Sequence, residues 1–155
     1  MVVGLDVAFV PTPKKIVRSM LQLASLRRGE TLVDLGAGDG RIIIEGVRRF
    51  GAHAIGVEMD ADRISRIKER LVATGTNAEL IAGDIFDVDL SRADVVAIYL
   101  SASANARLGP KLKAEMRKGT RVVSLDYPLP HWKPERELEV KASGISRKLY
   151  LYRAK

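Results

Sequence analysis

The chain has no cysteine, which excludes disulfides, thiolate metal sites and a cysteine nucleophile. Its two histidines, His53 and His131, are too few for a multi-histidine centre, so no metal ion is expected. Aromatics are scarce, at 5% of the sequence: Phe9, Phe50, Phe86, Tyr99, Tyr127, Trp132, Tyr150 and Tyr152. They do not interleave with basic residues, which argues against a single-strand binder that stacks bases. No apolar run approaches the roughly 18–20 residues of a membrane helix, and no membrane partner is expected. The N-terminus carries Asp6 and lacks a basic region followed by an apolar run, unlike a secretory signal; a cytoplasmic location is the expectation. No G-x-x-x-x-G-K-[ST] occurs, so P-loop chemistry is excluded. One glutamine (Gln22) and two asparagines (Asn77 and Asn105), with abundant charge, suggest a thermophilic source.

What is present suits one domain. The 155 residues are 46% hydrophobic and 29% charged, enough to bury one core and too few for a second domain. The expectation is a single unit over 1–155, with an N-terminal segment and helix over 1–26 and a sheet core over 31–155. Lysine and arginine number 26 against 19 acids, a net charge of +7. They are scattered, with no run of five or six, and read mainly as solvated helix faces. Weak, non-specific contact with nucleic acid is the partner class such a balance allows.

Periodicity predicts alternating elements. Pro13 to Leu26 has helical spacing, with Thr12 as N-cap and Pro13 at the first helical position. Thr31 to Leu35 is a short strand, Arg41 to Phe50 a helix closed by Gly51, Ala52 to Glu58 a strand, and Asp60 to Ala73 a helix capped by Asp60. Ala78 to Ala82 and the very apolar Ala93 to Leu100 are strands, the latter central. Ala104 to Arg117 is helical with Pro110 beginning or kinking it. Thr120 to Leu125 is a strand, and Leu138 to Lys141 with Lys148 to Tyr152 flanks Ser143-Gly144 as a hairpin-like pair. Strands alternating with helices give a doubly wound α/β fold, a mostly parallel sheet with helices on both faces and an antiparallel strand at the C-terminal end.

Ligands of such sheets bind beyond the carboxyl ends of the strands. The first strand runs into Asp34-Leu35-Gly36-Ala37-Gly38-Asp39-Gly40, a turn whose glycines allow close backbone approach before a helix N-terminus suited to an anion. Glu58 ends the second strand, about 20 residues on, where a carboxylate can accept ribose hydroxyls. Gly83-Asp84-Ile85 follows the third, with Asp84 able to accept from an adenine amino group. Each feature alone has a structural reading as a turn or strand end; three at successive strand ends point to an adenosine-containing ligand. The spacing is G-x-G-x-G with Arg41 in place of a dinucleotide fingerprint's third glycine, which disfavours NAD.

These segments resemble the successive motifs of the seven-strand, S-adenosylmethionine-dependent methyltransferases. The likeness is closest to the small archaeal protein lysine methyltransferases and their mitochondrial relatives. It rests also on Phe9-Val10-Pro11-Thr12-Pro13, Gly38-Asp39-Gly40-Arg41-Ile42, Pro110-Lys111-Leu112, Gly119-Thr120-Arg121-Val122-Val123-Ser124 and Trp132-Lys133-Pro134. The resemblance implies a seven-strand-type sheet and transfer of a methyl group from S-adenosyl-L-methionine to lysine side chains of proteins, with loose specificity. Gly36, Ala37, Gly38 and Gly40 would hold the methionyl end of the cofactor, and Asp34 its amino group. Glu58 would take the ribose, Met59 would pack on the adenine, and Gly83, Asp84 and Ile85 would surround its edge and face. Phe9, Pro11 and Thr12 would fold over the cofactor as a lid, with Tyr99 and Leu100 as the floor near the methyl. Tyr99, Thr12 and Trp132 are the candidates for the catalytic region. Where family members often place His-Glu after the fifth strand and Phe-Leu at the end of the fourth, this chain has Leu125-Asp126 and Tyr99-Leu100.

A lysine nucleophile must be neutral, and from a reference pKa near 10.4 this costs about 4.6 kcal/mol at pH 7. Aromatic walls that disfavour the charged amine would supply part of that, Tyr99 and Trp132 being the expected walls. Asp126 or water is left as proton acceptor. Asp34, Asp39, Glu58, Asp60, Asp84, Asp87 and Asp89, seven of the 19 acids, are expected to ring the site and favour cationic partners. Exposed lysines of proteins, such as small basic chromatin proteins, are the expected substrates. Methylation of RNA or of a small molecule, or non-catalytic binding of an adenosine ligand, are the alternatives.

Overall fold

In the computed structural model, the described residues are 12–155, so Phe9 and Pro11 of the expected lid lie outside them. Seven strands form one sheet: β1 (Thr31–Leu35), β2 (His53–Glu58), β3 (Glu79–Ala82), β4 (Val95–Ile98), β5 (Arg121–Leu125), β6 (Arg136–Ala142) and β7 (Ile145–Arg153). Their order is β3-β2-β1-β4-β5-β7-β6. β1 to β5 pair in parallel, and β7 is antiparallel to both β5 and β6. β4 is the middle strand, as its unbroken apolar run implies, and all four of its residues are buried.

Among the described residues four helices cover the sheet: α1 (Lys14–Leu23), α2 (Arg41–Phe50), α3 (Ala61–Thr74) and α4 (Ala102–Glu115). Strand alternation assigns the faces. Leu32, Val95, Ala97, Val123 and Leu125 meet Ile16, Met20 and Leu21 of α1. Val33, Val96, Ile98 and Val122 meet Leu108 and Leu112 of α4. Ile67 of α3 packs with Ile43 of α2 and Ala54 of β2, so α3 shares the face of α2. That face is tight enough to require Gly46, where a Cβ would stand 2.6 Å from Leu32 Cδ2.

The helix starts differ from expectation at two places. Pro13, with ψ 146°, is the N-cap of α1 and no side chain caps it; Thr12 instead turns inward and is buried. Proline favours an extended residue before it, which moves Thr12 out of the helix turn. Helix α4 starts at Ala102 rather than Ala104, because the Ser101 hydroxyl accepts from Ala104 N at 3.1 Å. It runs through Pro110, held on both sides by buried Leu108 and Leu112. The β6–β7 hairpin is longer than predicted and turns at Ser143 and Gly144, both with positive φ (52° and 76°). β5 ends opposite Leu149, so the hairpin beyond it rises past the C-terminal edge of the sheet.

Candidate functional site

The strand order reverses between β1 and β4, and the loops after β1, β2, β3 and β4 meet beyond that switch point. After β1 the chain turns with φ 86° at Gly36, 62° at Gly38 and 84° at Gly40, values only glycine adopts at no cost. Gly36 N and Ala37 N both donate to Val57 O at 2.9 Å, which fastens the turn to β2. Leu100, after β4, closes over Gly36: a Cβ there would be 3.2 Å from Leu100 Cδ2.

Glu58 organises the loops from beneath. Its Oε1 accepts from Gly38 N at 2.9 Å and its Oε2 from Met59 N and Asp60 N, each at 3.0 Å. Its backbone oxygen accepts from Gly83 N at 3.0 Å, linking the loop after β3. A carboxylate offers about four acceptor positions, so about one remains for a ligand hydroxyl. Met59 projects from this turn with 64% of its surface exposed, an apolar platform open to a flat ring. Asp84 caps its own turn, Oδ1 accepting from Phe86 N at 3.0 Å, while Ile85 packs toward the α4 face.

Asp34 is the outlier in charge. It is 2% exposed and its Oδ2 has no partner among the described residues. Burial, then the charges of Glu58 and Asp39, push its pKa well above the usual carboxylate range. Asp39 goes the other way. Partial burial works against its charge, but hydrogen bonds and charge from Arg41, and charge from Arg70, hold it below its ordinary value. Arg41 also donates to Thr12 O at 2.8 Å, which ties the start of the described chain to the glycine turn. This arginine bridge was not anticipated; its signal was Arg41 standing where a dinucleotide site needs glycine.

At the β4–β5 side, Tyr99 is 36% exposed, with the Arg147 guanidinium 5.4 Å from its ring centroid. Asp126, just past β5, accepts from Arg147 Nε at 3.0 and 3.1 Å and from Nη2 at 2.7 Å. The carboxylate considered as a proton acceptor is therefore bound by a guanidinium from the hairpin. Two expectations change. Trp132 lies edge-on to Tyr152 at 6.0 Å and against Gly109 of α4; Tyr152 pairs with Val122 near the start of β5, well below the strand ends. It packs the α4 face, so no wall of the site is built from it. Asp89 leaves the acidic rim, because the chain after β3 descends and Leu90 N bonds Glu115 at the far end of α4.

The group suggested by the sequence can be tested against this arrangement. An orphaned buried carboxylate at Asp34, a glycine turn with no side chain in the way and an exposed Met59 suit a ligand bearing an ammonium and an adenosine. The residues fit. Among the described residues no group of histidine, aspartate or glutamate side chains has the arrangement of a metal centre.

Comparison with known proteins points the same way. Residues 34–136 match the model of the ANTKMT methyltransferase domain. A protein-lysine N-methyltransferase of Saccharolobus islandicus is 38% identical, over 94% of this chain and 92% of its own. The adenine nucleotide translocase lysine N-methyltransferase of Mus musculus is 33% identical over 84% of this chain, which spans only 57% of that protein. A crystal structure described as an RNA methyltransferase from Salinibacter ruber, in complex with S-adenosyl-L-homocysteine, superposes with a TM-score of 0.86 at 38% identity and covers 93% of each chain.

Proposed function

The chain belongs to the family of the ANTKMT methyltransferase domain, and from this premise we propose that it transfers a methyl group from S-adenosyl-L-methionine to lysine side chains of proteins. The observation that carries the reading is the Asp34–Glu58 site at the switch point, in a chain 38% identical to a protein-lysine N-methyltransferase over nearly its whole length. The cofactor supplies an electrophilic methyl group on a sulfonium. Asp34 holds its ammonium, Glu58 its ribose, and Met59, Asp84 and Ile85 its adenine. We read 1–155 as one catalytic unit.

For the acceptor, the chain's own task is positioning and removal of a proton from the amine. Tyr99 lines the approach. Arg147 behind it is paired with Asp126 and so keeps that carboxylate from stabilising an arriving ammonium, which favours the neutral amine. With Asp126 engaged by Arg147, water takes the proton. Arg147→Met is accordingly expected to move the pH dependence of kcat/KM on a protein substrate to alkaline values by about one unit. An unchanged profile would remove Arg147 from this role.

Methylation of RNA is the second reading, favoured by what the Salinibacter ruber structure is called. Against it, the chain after β4 reads Ile98-Tyr99-Leu100-Ser101 and lacks the Asn/Asp-Pro-Pro-Tyr that grips exocyclic amino groups of bases. Parallel incubations with labelled cofactor, one with protein and one with RNA, separate the two; label in RNA alone would overturn the lysine reading. Exposed lysines of small basic chromatin proteins suit the acidic site. The scarcity of cysteine, glutamine and asparagine suits a thermophilic archaeal cytoplasm. Among the described residues no helix is long and apolar enough to cross a membrane.

A further inference from the structure

Two adjoining hollows, of about 400 and about 700 Å³, run between α1, α2 and the end of α3. Six cations line them, Lys14, Arg18, Arg41, Arg48, Arg49 and Arg70, against the single carboxylate of Glu45. Elsewhere several arginines are matched to acids, as in Arg92–Glu79, Arg117–Asp94 and Arg153–Glu135 on the surface and the pair that buried Arg121 makes with Glu30. In the groove, Arg18 pairs with Glu45, and Arg41 and Arg70 share Asp39. Lys14, Arg48 and Arg49 form no ion pair among the described residues, although Arg48 donates to Thr74 O.

We propose that this groove binds the phosphodiester backbone of nucleic acid, independently of sequence. The length of the charge favours a polyanion over a single phosphate. Arg41 and Arg48 stand two turns apart on α2, about 10 Å, a length of duplex axis over which one strand presents about three phosphates, one per roughly 3.4 Å of rise. Among the described residues no aromatic side chain lines the groove, so bases find no stacking platform on them and their contact is to backbone alone. No cation of the groove stands opposite an excess of acid, so a polyanion meets attraction along its length. The upper end, at Arg41, adjoins the glycine turn, so a bound strand leads toward the catalytic edge. Basic proteins coating the same strand would thereby be held beside the enzyme. That consequence rests on the lysine reading; the binding itself does not.

The test is anisotropy of a labelled DNA duplex, and of a single-stranded RNA, titrated with the full chain over a series of salt concentrations. About three phosphate contacts give a slope of log K against log salt near about −2.7 on duplex DNA. The triple variant Lys14→Glu, Arg48→Glu, Arg49→Glu is expected to lose about 100-fold in affinity and most of that slope. The double variant Lys14→Ala, Arg49→Ala, which removes no ion pair of the described fold, is expected to lose about tenfold. A control triple with the same charge change, Lys118→Glu, Lys133→Glu, Lys141→Glu, at exposed positions outside the groove, is expected to bind as the parent does. Equal losses in both triples would reduce the effect to diffuse net charge and overturn the site, as would undiminished binding by the groove variants. Cofactor binding and methyl transfer to an isolated protein are expected to survive in the double variant, so failure here is separable from failure of the methyltransferase reading.

Discussion

Glu58→Ala is expected to lower cofactor affinity at least 100-fold, about 2.7 kcal/mol, and folding stability by about 3 kcal/mol. Read from the sequence, Glu58 is a ribose acceptor worth a hydrogen bond or two. In the structure it also accepts from Gly38 N, Met59 N and Asp60 N, so removing it leaves three backbone donors without their partner. Hydrogen bonds to a charged acceptor contribute about 1.5–3 kcal/mol each, and part of this returns when water reaches the emptied site. Glu58→Gln separates the two roles. An amide retains one acceptor oxygen but turns an NH2 toward donors, so it partly restores the fold without restoring the full acceptor set. Titration calorimetry well below the melting transition then reads the ligand role alone. A folded Glu58→Ala protein that binds the cofactor as tightly as the parent would remove Glu58 from the site.

Asp34→Asn is expected to stabilise the cofactor-free protein by about 1 kcal/mol near pH 7 while weakening cofactor binding about 10- to 100-fold. The Asp34 carboxyl is buried with an unpartnered oxygen, and its pKa in the folded state is raised by burial and then by Glu58 and Asp39. In the unfolded chain the same group ionises near its ordinary value. Between the two the folded state carries the extra proton, so stability falls as pH rises from the ordinary carboxylate range through the raised value. An ammonium docking on Asp34 reverses this by favouring the carboxylate. Binding therefore releases a proton and tightens with pH until Asp34 is ionised in the free protein. Calorimetry in buffers of different ionisation enthalpy counts that proton. The Asn variant is expected to show neither the proton release nor this pH-dependent loss of stability. Equal affinity in the two proteins would leave the buried carboxylate without a ligand role.

Local pattern carried the fold well where sequence-near interactions decide it. Strand β1 and helix α2 have the residue bounds that periodicity gives, and the left-handed Gly51 ends α2 as a C-cap glycine should. Asp60 caps α3 through Asp62 N and Arg63 N for the same reason. What the pattern could not show depends on residues far apart in the chain. Trp132 looked free to line a channel because nothing local says that Tyr152 and Gly109 will enclose it. Asp89 looked like a rim acid because proximity in sequence to Asp84 hides the descent of the chain toward Glu115. The Asp126–Arg147–Tyr99 cluster joins three separate strand ends. The basic groove arises because α1 lies along α2, so that Arg18 meets Glu45 and scattered cations become a row.

The most direct test of methyl transfer to protein lysine is tandem mass spectrometry of a lysine-rich protein incubated with the enzyme and S-adenosyl-L-methionine, with RNA present in the same reaction. Added methyl groups are expected on lysine Nζ atoms, and strongly reduced in Glu58→Ala at a cofactor concentration near the parent's Kd. Methyl groups found on RNA nucleotides with none on any lysine would contradict the lysine reading.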